Sequence, residues 1–328
     1  MVKSIKDSNR VGIWGGGKKC LSAIRWLADQ GINPAYIVDS NSINMPNIMY
    51  SIPVVSPAKF YEEIIDDYIV ISSDIYGAEI INDLETHSFS NYVLLSEVDN
   101  FGRTNEINRD EWIKKKLLSI PNGKKILDAG AGEQRYRKYC KHLNYTSQDF
   151  CEYDGKGAGG LQPGSWNTSK IDIVSDITSI PVEDDSFDVI LCTEVLEHIN
   201  NPGVAIEEFA RILKKGGELI ITAPFCSLSH MAPYYFYSGF SIYWYRDILC
   251  KYGFRIAEDQ HNGNYFSYIA QELRRIGFIG KSYAQYDVNE KDVEAIEEVI
   301  SILRRMDAND TMSYELLCYG YHIDAYMK

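Results

Sequence analysis

Short apolar segments alternate with longer amphipathic segments along the first hundred residues. The apolar segments predict strands and the amphipathic ones predict helices. The predicted strands are RVGIWG, PAYIVDS, DYIVISS and NYVLLSE, and the predicted helices are KKCLSAIRWLADQG, SPAKFYEEII and YGAEIINDLETHS. Such alternation favours a parallel sheet that is covered by helices on both faces. Residues 1–100 are therefore predicted to form a doubly wound α/β domain.

The alternation restarts after the polar segment VDNFGRTNEINRD, and we place a linker at residues 101–110. Residues 111–328 are predicted to form a second domain of the same class. Its predicted strands are KKILDAG, YTSQDF, IDIVSDI, FDVILCTE, ELIITAPF, RIAEDQHN and YELLCYGYHIDAYMK, and its first two helices are EQRYRKYCKHL and PGVAIEEFARILKKGG. Residues 226–312 are rich in aromatic and helical segments and are predicted to form a cap on this domain, inserted before the last strand. The predicted fold class is thus two consecutive doubly wound α/β sheets.

Composition narrows the class of partner and the compartment. The net charge is −13, and such a field repels phosphate backbones and anionic lipid, so a nucleic-acid or membrane-surface role is disfavoured. The seven cysteines lack a C-x-x-C pair, which argues against a disulfide framework. The polar start MVKSIKDSNR and the lack of a long apolar run predict a reduced, cytoplasmic protein without membrane insertion.

The segment KKILDAGAGEQ reads as a strand followed by a glycine-rich turn, the usual cradle of a nucleotide-like ligand. Gly130 and Gly132 allow the backbone to approach such a ligand closely. Asp149 follows Asp128 by 21 residues, at the end of the next strand, where a carboxylate can accept both ribose hydroxyls. This spacing fits NAD as well as other adenosine ligands. Gln134 stands in place of the third glycine, which weakens the dinucleotide interpretation.

The segment from Ile126 to about Gly263 resembles the class I S-adenosylmethionine-dependent methyltransferases, the methyltransferase domain 11 group in particular. The motifs ILDAGAG, SDITSIP, FDVILCTEVLEHI and EEFARILKKGGELIITAPF carry the resemblance in this order. It implies that S-adenosylmethionine is the cofactor, that Asp149 binds the ribose, and that Asp176 and Ile177 contact the adenine. The implied cofactor-binding residues are Asp128, Gly130, Ala131, Gly132, Gln134, Asp149, Phe150, Asp176, Ile177 and Cys192.

Three side chains near the predicted cleft are candidates for a catalytic base: His230, His198 and Glu194. A base assists transfer of a methyl group to a hydroxyl. The alternative for His198 is a hydrogen bond that only shapes the pocket, and for His230 a place in a packed cover. No group of Asp, Glu and His has the sequence spacing of a magnesium or zinc site, so a metal site is not expected.

The aromatic segment HMAPYYFYSGFSIYWY and the segment that follows it suit a sugar or another flat polar ring as the acceptor. The predicted acceptor contacts are Tyr234, Tyr235, Tyr237, Trp244, Asn264 and Tyr265. The alternative is an aromatic core within a helical cap. The acceptor is predicted to be a sugar or a nucleotide-linked sugar, and the oligomeric state is left open, a homo-oligomer included.

A second glycine-rich turn, WGGGKKC, lies in the first domain, with Asp39 about twenty residues after it. This domain resembles the small Rossmann-like unit that precedes some sugar-modifying transferases of bacterial polysaccharide pathways. The resemblance implies either a nucleotide-sugar at the turn or no ligand at all, the domain then serving dimer contacts or acceptor docking. The candidate residues are Gly15, Gly16, Gly17, Lys18 and Asp39.

Together these features predict an S-adenosylmethionine-dependent O-methyltransferase that acts on a sugar of a surface polysaccharide or a related pathway. Two alternatives stay open. In the first, the chain is an NAD-binding bifunctional or redox-sensing protein. In the second, it binds S-adenosylmethionine without catalysis.

Overall fold

The computed structural model describes residues 5–8, 10–17, 19–63, 67–73, 75–157 and 159–328. The chain forms two compact units. The first unit comprises Met1–Arg103 and Ile269–Thr311, and the second comprises Thr104–Tyr268 and Met312–Lys328. Each unit has its own sheet and its own hydrophobic core.

The described strands and helices have the following bounds. The strands are β1 (Arg10–Trp14), β2 (Tyr36–Val38), β3 (Ile48–Met49), β4 (Ile52–Val55), β5 (Asp67–Ile71), β6 (Tyr92–Leu94), β7 (Lys125–Ala129), β8 (Asn144–Asp149), β9 (Ile173–Val174), β10 (Phe187–Thr193), β11 (Leu213–Pro224), β12 (Phe254–Asn262) and β13 (Gly320–Met327). The helices are α1 (Cys20–Asp29), α2 (Pro57–Glu63), α3 (Gly77–Thr86), α4 (Leu95–Val98), α5 (Asn105–Ser119), α6 (Pro202–Ile212), α7 (Ile242–Lys251), α8 (Tyr265–Tyr283) and α9 (Glu290–Asp307).

The sheet of the first unit has the strand order β3-β4-β2-β1-β5-β6. Its strands pair in parallel, except that β3 pairs antiparallel with β4. The central strands β1 and β5 are apolar almost throughout, as expected for strands buried on both faces. The predicted doubly wound α/β fold of this part of the chain is confirmed.

Helix α9 and most of α8 belong to the first unit, although we predicted residues 226–312 as a cap on the second domain. Ser22 of α1 donates a hydrogen bond to Glu297 of α9 (2.7 Å), and Ser301 donates one to Asp29 at the end of α1 (2.7 Å). The prediction was wrong for residues 269–311 because an amphipathic pattern shows that a helix has a buried face but not which core buries it.

The sheet of the second unit has the order β12-β13-β11-β10-β7-β8-β9. Strand β13 runs antiparallel to both of its neighbours, and the remaining pairs are parallel. The chain leaves β7 toward β8 on one side and later returns to β10 on the other. In open sheets of this kind, ligands bind at the carboxyl ends of the strands beside such a switch point. The second predicted α/β sheet is therefore also confirmed.

Two local predictions for the second unit were wrong. The segment EQRYRKYCKHL was predicted as a helix, but the structure has turns there and one short 3-10 helix, Arg137–Tyr139. Residues 105–110, predicted as linker, belong to α5 instead, which buries Trp112, Ile113 and Leu117. The residues of α5 before Trp112 are mostly polar, and its buried apolar face begins only at Trp112, so the sequence did not indicate a helix there. In the part of the chain that the structure describes, no helix has the length and apolar character needed to cross a bilayer.

Candidate functional site

The glycine-rich turn after β7 adopts a conformation that requires glycine. Gly130 has φ +73 and Gly132 has φ +50, both in the left-handed region. A Cβ atom on Gly130 would lie 2.5 Å from the side chain of Val195, and one on Gly132 would lie 2.4 Å from the ring of Trp166. Both positions therefore need glycine for conformation and for space, as the sequence pattern predicts.

Asp149 ends β8 and is held against this turn. Its Oδ2 accepts a hydrogen bond from the Gly132 amide (2.9 Å), and its Oδ1 accepts one from the Cys151 amide (2.9 Å). Each carboxylate oxygen has further lone pairs, so the oriented group can still accept ribose hydroxyls. The amides of Gly130 and Ala131 donate to the backbone carbonyl of Gln148 (2.9 Å each), which fixes the turn to β8.

Asp128, the predicted partner at the end of β7, is buried. The Tyr145 hydroxyl donates a hydrogen bond to it (2.6 Å). Burial, the largest cause, raises the pKa of the Asp128 carboxyl to about 6, and the nearby Asp149 charge adds to the rise while the Tyr145 hydrogen bond opposes it. The Asp128 side chain is therefore fixed to β8 through Tyr145.

Gln134 closes the turn, with φ +58. Its side-chain amide donates to the Lys170 carbonyl (2.6 Å), and its side-chain oxygen accepts from Arg137 (2.6 Å). Gln134 therefore joins the turn to the loop before β9. A left-handed residue at this point also explains why the following segment does not continue as a helix.

A cluster of one carboxylate and two imidazoles lies beyond β10 and β11. The Glu197 Oε1 atom is 3.8 Å from His198 Nε2 and 3.9 Å from His230 Nε2. The Nδ1 atom of His198 lies within hydrogen-bond distance of the Tyr234 carbonyl, and the Nδ1 atom of His230 lies 2.9 Å from the Leu228 carbonyl. Burial lowers the pKa of His198 to about 4, with a contribution from the neighbouring His230, so His198 is neutral at pH 7.

Glu194, the third predicted base, is engaged in an ion pair. Its Oε2 atom lies 2.8 Å from Nη1 of Arg109, and its Oε1 accepts a hydrogen bond from Thr222 (3.0 Å). Both carboxylate oxygens of Glu194 are therefore already occupied by a partner within the second unit. The geometry thus supports the histidines over Glu194 as the base.

Comparison with protein families bears on the segment that contains the glycine-rich turn, Asp149, Glu194, Glu197 and His198, but not Arg109 or His230. Residues 127–221 match the family model described as Methyltransferase domain. This methyltransferase segment spans β7 to most of β11, including the glycine-rich turn and Asp149. The match supports S-adenosylmethionine as the cofactor.

Two curated proteins that are similar to this chain are named as methyltransferases. A demethylmenaquinone methyltransferase of Renibacterium salmoninarum is 30% identical over 102 residues, which is 30% of this chain and 40% of that protein. One of Paenarthrobacter aurescens is 29% identical over 133 residues, which is 40% of this chain and 49% of that protein. The chain thus spans half or less of the length of these two curated relatives.

Among solved structures, a SAM-dependent methyltransferase from Archaeoglobus fulgidus aligns with a TM-score of 0.40 and 17% identity, over 70% of this chain and 96% of that one. A SAM-dependent methyltransferase from Aquifex aeolicus aligns with a TM-score of 0.36 and 16% identity, over 51% of this chain and 89% of that one.

The remaining predicted cofactor contacts differ in exposure. Asp176 is exposed, and its Oδ1 accepts two hydrogen bonds from Thr178 (2.8 and 2.7 Å). Phe150 is half-exposed beside Asp149. Ile177 is buried in the core of the second unit, and so is Cys192, whose thiol has no exposed surface. The structure therefore places Cys192 in the sheet interior, and its contact with a cofactor stays a prediction.

Three predicted acceptor contacts, Tyr234, Tyr235 and Tyr237, follow His230 in one loop. Their hydroxyls bond to Glu152 (3.2 Å), to the Ser227 carbonyl (2.7 Å) and to the Asn200 carbonyl (3.1 Å), in that order. The ring of Tyr234 meets that of Phe150 edge-on at 4.9 Å, so this loop reaches the residue that follows Asp149.

The other three predicted acceptor contacts lie further along the chain. Trp244 of α7 packs on Phe240, with ring centroids 4.4 Å apart, and belongs with the apolar core. Asn264 accepts a hydrogen bond from the Ser267 amide (3.0 Å) at the start of α8. Tyr265 is 38% exposed. The core alternative fits Trp244 better than a role in acceptor binding.

The glycine-rich turn of the first unit closes on its own carboxylate. The Gly16 amide donates to Asp39 (2.7 Å), and the Gly15 amide donates to the Val38 carbonyl (2.8 Å). The Gly17 carbonyl accepts from Cys20 at the start of α1 (2.9 Å). Lys18 lies outside the described residues. A ligand at this turn stays a prediction.

Three residues of the site were missed by the sequence analysis: Arg109, Trp166 and Glu197. Arg109 lies in the part of α5 that we predicted as linker. Trp166 lies in a glycine-rich loop without periodicity, so nothing local indicates that it covers Gly132. For Glu197 a signal exists, because the spacing E-x-x-E-H in TEVLEHI places Glu197 beside His198, but only the fold brings His230 to them.

Proposed function

We propose that this protein transfers the methyl group of S-adenosylmethionine to an acceptor bound beside His198 and His230. The observation that carries the proposal is the turn of Gly130 and Gly132 bonded to Asp149, inside the segment that matches the methyltransferase domain family. The turn offers a close backbone surface, and the carboxylate offers acceptors for a ribose.

Methyl transfer from a sulfonium is an in-line displacement, and the protein contributes mainly by aligning acceptor, methyl group and sulfur. Such alignment contributes about 7–11 kcal/mol in favourable cases. We propose a hydroxyl as the acceptor, because a backbone carbonyl faces Nδ1 of each imidazole and leaves Nε2 as the proton-accepting atom. A positioned base contributes roughly 10²–10⁴-fold.

A sugar, or a nucleotide-linked sugar, is the acceptor class that we propose. The tyrosine-rich loop supports it, since phenol rings stack on sugar faces and their hydroxyls bond to polar edges. The names of the relatives favour a second acceptor class, a demethylmenaquinone. For that acceptor the same tyrosine rings would stack on a flat apolar ring.

The cofactor site is tested by calorimetric titration of the full chain with S-adenosylmethionine and S-adenosylhomocysteine. Both should bind the wild type, and Asp149→Asn should weaken binding at least tenfold, because the amide donates where the ribose hydroxyls also donate. The matched control is Asp185→Asn, an exposed position after β9 with φ +52 that an asparagine adopts readily. Equal binding by wild type and Asp149→Asn would refute the assignment of the site.

The acceptor is tested by transfer of a labelled methyl group to nucleotide-sugars and to demethylmenaquinone, and by titration with NADH. Labelling of a nucleotide-sugar supports the proposal, and labelling of the quinone replaces it with the second class. Binding of NADH without S-adenosylmethionine would favour the NAD-dependent alternative. Tight S-adenosylmethionine binding with no labelled product from any acceptor would favour a non-catalytic binding protein.

A further inference from the structure

Three metal-ligating side chains converge in the second unit, although we expected no metal site from their sequence spacing. One ligand atom from each of Glu197, His198 and His230 lies within 4.8 Å of the other two. Ligands that bind one ion at about 2.0–2.1 Å in tetrahedral geometry are about 3.4 Å apart. The measured separations of 3.8 and 3.9 Å from Glu197 to the two imidazoles need only small side-chain rotations to reach this value.

The tautomers of both imidazoles suit a metal. A carbonyl oxygen can only accept, so the Nδ1 atoms that face the carbonyls of Tyr234 and Leu228 carry the protons. Both Nε2 atoms therefore hold a lone pair, and both are directed at the Glu197 carboxylate. Histidines that ligate metals characteristically donate their other N–H group to a backbone carbonyl or a carboxylate, which fixes the ring.

The carboxylate of Glu197 is buried without full compensation. It is 1% exposed, and its Oε2 atom has no hydrogen-bond partner within the described chain. The nearby Arg109 forms its ion pair with Glu194, at 2.8 Å, and acts on Glu197 only as a neighbouring charge. If this carboxylate is ionised its charge is uncompensated, and a bound cation would neutralise it, as would a proton.

We propose that Glu197, His198 and His230 bind one divalent transition-metal ion. Two imidazoles and one carboxylate suit zinc, iron, cobalt or nickel better than magnesium or calcium, which prefer oxygen ligands. Three protein ligands leave at least one position open, as in catalytic zinc sites. His230 is 26% exposed and precedes the tyrosine loop, so the open position faces the side from which an acceptor enters.

The role of the ion in catalysis rests on the proposed function, whereas ion binding itself does not. An acceptor hydroxyl on the ion would lose its proton more readily, because bound cations lower the pKa of a bound oxygen. The histidines would then act as ligands, and the proton would leave to solvent.

The test uses the full chain, freed of metal by a chelator and titrated with Co²⁺. The expected result is one ion per chain with visible d–d absorption, and displacement of that absorption by Zn²⁺ but not by Mg²⁺. His230→Gln and Glu197→Gln should each weaken Co²⁺ binding by about tenfold to a hundredfold. His87→Gln, at an exposed histidine of the first unit, is the matched control and should bind like the wild type.

His230 lies in a loop, so its variant keeps the test valid where Glu197→Gln fails to fold. Absence of stoichiometric Co²⁺ binding by the wild type would overturn the proposal, as would binding that is unchanged in His230→Gln. S-adenosylmethionine binding is measured on the same samples. Cofactor binding without ion binding refutes the metal site alone, and ion binding without cofactor binding refutes the proposed function alone.

Discussion

Asp128 is a residue at which burial and charge conflict. It is 2% exposed, and the pKa of its carboxyl is raised to about 6 from the ordinary 3.8. The folded state therefore holds this proton more tightly than the unfolded state does. The resulting contribution to stability is fully present below pH 4 and is lost as the pH rises through about 6.

Replacing Asp128 with Asn should therefore stabilise the protein in a pH-dependent way. The amide carries no charge, and its oxygen can still accept the hydrogen bond from Tyr145. Relative to wild type, the free energy of unfolding of Asp128→Asn should rise by about 1–3 kcal/mol between pH 4 and pH 7. This difference in the free energy of unfolding is measured by urea denaturation, with hydrogen exchange of the β7 amides as the local probe. A difference between Asp128→Asn and wild type that stays constant from pH 4 to pH 7 would contradict the argument.

At this scale the sequence indicated those residues whose role follows from local rules. Gly130, Gly132 and Asp149 could be predicted, because left-handed backbone needs glycine and because the spacing to the next strand is regular. Trp166 and the pairing of Arg109 with Glu194 could not, since each contact joins segments tens of residues apart. The cluster of Glu197, His198 and His230 depends in the same way on adjacent strands that are distant in sequence.

At the scale of elements, one buried carboxylate of the first unit contacts both helix α8 and helix α9. Asp99, at the end of α4, is 3% exposed and lies 2.9 Å from Nη2 of Arg274 and 2.8 Å from Nη2 of Arg304. Arg274 also donates to the Phe101 carbonyl (2.9 Å). If one arginine is removed, the negative charge of Asp99 stays buried with only one positive partner, which is unfavourable.

Arg274→Met should accordingly destabilise the first unit by about 2–4 kcal/mol, somewhat less than complete loss of a buried pair. Arg275→Met is the matched control, since Arg275 forms a partly exposed pair with Glu272 at 3.5 Å, and it should cost about 0–1 kcal/mol. The free energies of unfolding of the two variants are compared by urea denaturation, with hydrogen exchange of the β1 and β5 amides as the local probe. Equal effects would mean that the buried pair does not hold the helices.

The helices also show the limit of periodicity as a predictor. The sequence indicated helical segments within residues 226–312, and α8 and α9 are among the helices found there. Periodicity gives the buried face of each helix but not its partner, so their assignment to the second domain was wrong. The missing helix after Gln134 has a different cause, because the left-handed residue interrupts the helical backbone and the hydrogen-bonded turns after it go no further than one short 3-10 helix.

At the scale of the whole molecule, the two units have separate sheets and separate cores. The sequence predicted both sheets, since strand-helix alternation restarts once along the chain. The proposed cofactor residues all belong to the second unit. A ligand stabilises only the part of a protein whose unfolding releases it.

Saturating S-adenosylmethionine should therefore slow hydrogen exchange in the second unit alone. At a concentration 100 times the dissociation constant, binding contributes about 2.7 kcal/mol, so amides of β7, β8 and β10 that exchange by global unfolding should slow about 100-fold. Amides of β1 and β5 should exchange unchanged. In Asp149→Asn, S-adenosylmethionine should slow hydrogen exchange in the second unit less, in proportion to the lower affinity of the variant for the cofactor. Equal slowing in both sheets would show that the two units unfold as one cooperative body, and protection confined to β1 and β5 would place the cofactor at the turn of Gly15 to Gly17.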